Sequence, residues 1–132
     1  MIDLTKAREL LKAAMETQGR DFVYSPAGQG CFYQPITELP SDYPRDNGSR
    51  NITEDDPRRK TGCLIGVALD LHGETRHHGF NGRVRDLFNR YPDMMTDEAC
   101  WYFSRAQEHQ DSGWTWGSAY DKAEGSIQYM SE

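Results

Sequence analysis

The sequence predicts a mostly helical α+β domain, with about five helices packed around one core and a small β-hairpin. Three observations lead there. Apolar residues recur at three- and four-residue steps in several stretches, the period of a helix with one buried face. Two short aromatic, β-forming runs flank a Pro/Gly turn cluster. The 132 residues suffice for one domain and are too few for two.

The elements follow in chain order. Over residues 4–18, Leu4, Ala7, Leu11, Ala14 and Met15 form an apolar stripe, with Asp3 as N-cap and Gly19 as the stop. Residues 21–25 and 31–35 read as two strands, Phe22-Val23-Tyr24 and Cys31-Phe32-Tyr33, around the turn Ser25-Pro26-Ala27-Gly28-Gln29-Gly30. Residues 36–60 read as a polar insertion loop broken by Pro40, Pro44 and Pro57. Residues 62–72 are apolar nearly all round and predict a central helix capped by Thr61 and ended by Gly73. A buried strand is the competing reading; Asp70 and the glycine exit favour the helix. A short helix over 82–90 is capped by Asn81 and turns Val84, Leu87 and Phe88 inward. Residues 97–111 are capped by Thr96, carry Asp97 and Glu98 in the first turn, and bury Ala99, Tyr102, Phe103 and Ala106. Thr115 caps a last helix, 116–124, ended by Gly125, and 126–132 reads as a loose tail.

Composition narrows the function classes. The formal charge is -6, from 15 Lys+Arg against 21 Asp+Glu, and the mean hydropathy is -0.85. Fifteen aromatic rings nevertheless argue for a folded core. No apolar run approaches the roughly 20 residues of a membrane span, and the N-terminus reads as an amphipathic helix rather than a secretory signal. Overall acidity disfavours binding to nucleic acid. Three widely spaced cysteines, Cys31, Cys63 and Cys100, make a poor disulfide framework and predict free thiols in a cytoplasmic setting. There is no CxxC pair, and neither a metal site nor a cofactor is expected.

Charge is polarised along the chain. Residues 91–132 hold two basic and eight acidic groups, while residues 45–90 hold nine basic and seven acidic ones. In that middle third, Arg58, Arg59 and Lys60 precede one predicted helix start, and His77, His78 and Arg83 surround another. Exposed N–H groups flanked by cations can hold an anion such as phosphate. Cys63, in the first turn of the central helix, is a candidate thiol nucleophile. Its base would have to come from elsewhere, because His72 lies about 13 Å further along the helix at 1.5 Å per residue. His77 and His78 are adjacent, so in a helix or strand they point apart.

Several pieces of the chain are similar to one known group. The stretch from Gln107 through Asp111-Ser112-Gly113 to Trp116-Gly117 has the shape Gln, Asp-x-Gly, Trp-Gly. With Asp21-Phe22-Val23-Tyr24 and Gly62-Cys63-Leu64-Ile65-Gly66, it resembles small uncharacterised proteins of actinobacteria and their phages. The resemblance spans most of the chain outside residues 36–60, implies a phage or actinobacterial cytosolic setting, and carries over no activity. The residues explain the signature without one. Asp111, at a helix C-terminus, is better placed to accept from the next helix or an indole. Trp116 buries a large ring between the last two helices, whereas Trp114 falls before the cap and stays exposed.

The expectation is a non-enzymatic accessory protein that binds another protein through a surface including Trp114, as a host-factor inhibitor or a virion component. The alternative is a cysteine-dependent enzyme, or a small-anion or nucleotide-binding protein, using Cys63 and the basic middle third. The partner and the oligomeric state are not legible in the residues.

Overall fold

The apolar stripe at the N-terminus forms the helix it predicts, α1, Leu4–Gln18, in a computed structural model that describes residues 1–24, 32–36 and 55–129. Asp3 accepts from the Lys6 amide at 2.8 Å, and Gly19 closes the C-terminus. Ala7, Leu10, Leu11, Ala14 and Met15 are buried against the helices that follow. These are α2, Pro57–Lys60; α3, Leu64–Leu71; α4, Val84–Arg90; α5, Asp97–Asp111; and α6, Trp116–Ser126, which runs into a 3-10 turn, Ile127–Tyr129. α1 packs on α3, α5 and α6, and α5 lies along α6 and also touches α3 and α4. None of the described helices is long and apolar enough to cross a membrane.

The predicted hairpin is a correction. The described residues contain no strand, only two isolated bridges, Ile2 with Met95 and Phe32 with Asn81. The fold is therefore mostly helical. Residues 25–31 of that prediction lie outside the described residues, but the flanks give the physical reason. Tyr24 satisfies both backbone groups of Phe32 with its phenol, donating to the carbonyl at 3.1 Å and receiving the amide at 3.2 Å. The Phe32 carbonyl also accepts from the Cys63 amide, and the Tyr33 amide donates to Phe80. Tyr24, Phe32 and Tyr33 are all buried, so the β-forming aromatics plug the core between helices instead of pleating.

Two backbone approaches fix the helices, and glycine permits both. A Cβ at Gly62 or Gly66 would lie 2.2 or 2.1 Å from the Tyr33 carbonyl oxygen, so this pair lets the residue 33 backbone rest on the start of α3. A Cβ at Gly117 would lie 2.7 Å from the Arg20 Cβ. There the first amides of α6 find carbonyls outside the helix, Trp116 to Phe22 at 2.8 Å and Gly117 to Arg20 at 2.9 Å. Trp116 is fully buried with Phe22 edge-on at 4.8 Å.

The starts of α3 and α4 differ from the sequence reading. Thr61 donates its hydroxyl to the Gly62 carbonyl rather than capping, and Asn81 lies before α4 without capping it. Both caps come instead from α5, where two buried glutamines face inward. Gln110 Oε1 accepts from the Leu64 amide at 2.7 Å and also from the Trp116 indole at 3.1 Å. Gln107 Oε1 accepts from the Val84 amide at 2.8 Å, while its Nε2 donates to the Tyr33 hydroxyl and the Gly82 carbonyl. Asp111 does not take the indole; it accepts from Gln110 Nε2 at 2.8 Å. Thr96 and Thr115 cap α5 and α6 as read. Gly125 does not end α6, which continues to Ser126, and Ile127 packs on the core. Of the predicted insertion, residues 37–54 lie outside the described residues and Pro57–Lys60 form α2, capped by Asp56.

Candidate functional site

The outward face of α5 carries Trp101, Arg105 and His109 at four-residue steps, so the three stand in line along the helix. Trp114 sits in the short turn between α5 and α6, its amide donating to the His109 carbonyl at 3.2 Å. α6 supplies Ser118, Asp121, Lys122, Gly125 and Ser126 as the opposite wall. Together these residues line a groove of about 730 Å³. Trp114 is 46% exposed, in contrast to the fully buried Trp116 two residues on. Thr115 explains the difference: as N-cap it leaves residue 114 outside the helix and turns residue 116 into the interface with α5.

Cations and rings alternate along this groove. The Arg105 guanidinium lies over the Trp101 ring, 4.7 Å from its centroid, and Lys122 Nζ lies 6.0 Å from the centroid of Trp114. His109 meets Trp114 edge-on at 5.3 Å. Partial burial, reinforced by the neighbouring Lys122 charge, pulls the His109 pKa below its ordinary value. Both effects favour the neutral, hydrogen-bonding form of the ring. Asp121 is already paired with Arg20, and Glu108 lies 3.4 Å from Arg105. On a chain of charge -6, the groove is a local patch of aromatic surface with exposed positive groups.

The residues expected around an anion are each placed differently. Arg58 is buried and pairs with Asp56 at 2.8 Å. Arg59 is half-buried and Lys60 is exposed on α2. Arg83 is exposed and lies 3.3 Å from Asp86. The amides that lead α3 and α4 are taken by Gln110 and Gln107. His77 and His78 do not point apart: they lie in a turn, and both Nε2 atoms face Asp70 Oδ1, at 2.6 and 3.2 Å. Cys63 is disulfide-bonded, against the expectation of free thiols, and is fully buried at the start of α3. It offers no thiolate, which removes the nucleophile of the enzymatic alternative. Cys100 is free and buried, and burial pushes its thiol pKa up.

Sequence reasoning missed that Trp101 and Lys122 line the same groove as Trp114, and it missed the capping role of Gln107 and Gln110. The glutamines had a signal: both continue the inward face set by Tyr102, Phe103 and Ala106, where an amide must find partners. No family model matches the chain, and neither a curated protein nor a solved structure matches it.

Proposed function

We propose that this chain is a non-enzymatic accessory protein, of a phage or its actinobacterial host, that works by binding another protein in the groove between α5 and α6. The occupant is an acidic segment of the partner that carries an apolar or aromatic side chain. The observation supporting this is the pairing of two indole faces, Trp101 and Trp114, with Arg105 and Lys122 in one groove of an otherwise acidic chain. Exposed tryptophan and arginine are the side chains that most often dominate binding energy at interfaces. A net-negative chain repels acidic partners at most places on its surface, so a local cationic groove selects where and how one docks.

A cytoplasmic setting belongs to the same proposal. The disulfide at Cys63 counts against it, because disulfides persist mainly in oxidising compartments. Host-factor inhibitor and virion component are the two roles the reading covers. They separate on whether the chain sediments with virus particles or remains with a host protein.

Selection of random displayed peptides on the purified chain tests the reading. The expected outcome is a family of peptides with an Asp or Glu beside a large apolar residue, whose binding drops at least tenfold in Trp114→Ala. Peptides without acidic enrichment, peptides that bind Trp114→Ala as well as the parent, or no selected peptide at all would count against it.

A further inference from the structure

Away from the groove, the end of α3 and the turn after it bring three metal-ligand side chains together. Asp70 stands in the last turn of α3, and His77 and His78 follow seven and eight residues later. The backbone folds them back. Glu74 donates its amide to the Leu69 carbonyl at 3.1 Å, His78 to Thr75 at 3.1 Å, and Phe80 to His77 at 3.0 Å. One donor atom from each of Asp70, His77 and His78 lies within 4.8 Å of the others. We infer that Asp70, His77 and His78 form a binding site for a divalent transition metal of the Zn²⁺ type.

The donor set points to that class of ion. Two imidazole nitrogens and one carboxylate suit zinc, cobalt, nickel or copper, whereas magnesium and calcium prefer all-oxygen surroundings. The scaffold is partly prepared. The His77 ring is fully buried, with the rings of His78 at 4.7 Å and Tyr33 at 6.3 Å, so its direction is held by packing. Gln34 Nε2 donates to both Asp70 oxygens, at 3.0 and 2.9 Å, and orients the carboxylate as outer-shell partners of metal ligands do. The side chains of Asp70 and His78 are 41% and 48% exposed, which gives an ion a route in and leaves room for a water as fourth ligand. The C-terminal end of α3 carries partial negative charge, and a cation beside it is favoured.

The geometry also sets the strength. Ligands of a tetrahedral zinc at 2.0–2.1 Å stand about 3.3 Å apart. The contact of Asp70 with His78 is already 3.2 Å, and that with His77 must open from 2.6 Å, which the exposed Asp70 side chain allows. Coordination through Nε2 leaves the remaining proton of His77 on Nδ1, which is buried without a hydrogen-bond partner. An unmade buried bond weakens binding by roughly 10- to 100-fold. With three protein ligands rather than four, the site binds zinc more weakly than a four-ligand structural site does.

The test uses the full, tag-free chain after chelator treatment, titrated with Zn²⁺ by calorimetry and with Co²⁺ by visible absorption. The expected result is saturable binding of one Zn²⁺ per chain, ligand-field bands with Co²⁺, and no saturable binding of Mg²⁺ or Ca²⁺. His78→Ala and Asp70→Asn each weaken Zn²⁺ binding at least tenfold, while His109→Ala leaves it unchanged. His78 is 48% exposed and its hydrogen bond to Asp70 lies at the surface, so its replacement lowers the metal-free melting temperature only slightly and the variant stays folded during the titration. Absence of saturable Zn²⁺ binding, or equal binding by the parent and His78→Ala, overturns the inference and leaves the cluster as a hydrogen-bonded tether of the turn.

Discussion

Replacing Gln110 with Met keeps the length of the side chain and removes the oxygen on which two helix junctions rest. Two buried donors lose their acceptor: the Leu64 amide at the start of α3, 2.7 Å away, and the Trp116 indole at the start of α6, 3.1 Å away. Each orphaned donor costs about 1–3 kcal/mol, so the pair costs about 2–6 kcal/mol, with a central value near 4. That is a large fraction of the roughly 5–15 kcal/mol by which a domain is stable. The assay is equilibrium unfolding in urea, followed by far-ultraviolet circular dichroism and tryptophan fluorescence. The midpoint should fall with little change in slope, because the surface exposed on unfolding stays the same. A loss below about 1 kcal/mol would refute the reasoning, since it would mean that neither junction depends on this oxygen.

Two further outcomes follow from the same interior. Burial raises the Asp111 pKa from 3.8 to about 6, so the folded state holds its proton more tightly than the unfolded chain. Stability is then lost as pH rises from about 4 to 6, by at most about 3 kcal/mol. Asp111→Asn should be more stable than the parent at pH 7.5, with the advantage vanishing below pH 4; a pH-independent difference in urea midpoints would contradict this. Gly66→Ala places a Cβ against the Tyr33 carbonyl, 2.1 Å away, and forces backbone apart. It should lower stability by about 1–3 kcal/mol, whereas Gly125→Ala, in open space within α6, should be neutral or slightly stabilising in a melting experiment.

What the sequence disclosed was whatever its local spacing determines. α1 and α5 keep their predicted bounds because stripe, cap and stop lie within a few residues of one another. α3 and α4 start later than predicted because their caps come from Gln110 and Gln107, 46 and 23 residues away, beyond any local pattern. The hairpin misled for a related reason: aromatic residues favour strands because they fit half-buried surfaces, and here helices supply that surface. The short motifs are now explained as joints. Gly62 and Gly66 seat the residue 33 backbone, Gly117 seats Arg20, and Phe22 packs on Trp116. In the candidate groove, the exposure of Trp114 was legible from its place before the Thr115 cap. Trp101 and Lys122 were not, because they come to line the same groove as Trp114 only through the packing of α5 on α6. The convergence of His77 and His78 on Asp70 was hidden too, since a turn and not a helix or strand carries the two imidazoles.

The most direct measurement is a charge swap in the groove. Calorimetry with a selected acidic peptide should show Arg105→Glu weakening binding by about 1 kcal/mol or more, roughly fivefold at the least. Replacing the facing acid of the peptide with Lys should restore the affinity in Arg105→Glu and lower it in the parent. If the Lys peptide binds the variant no better than the acidic one does, the cations of the groove do not read the partner's charge.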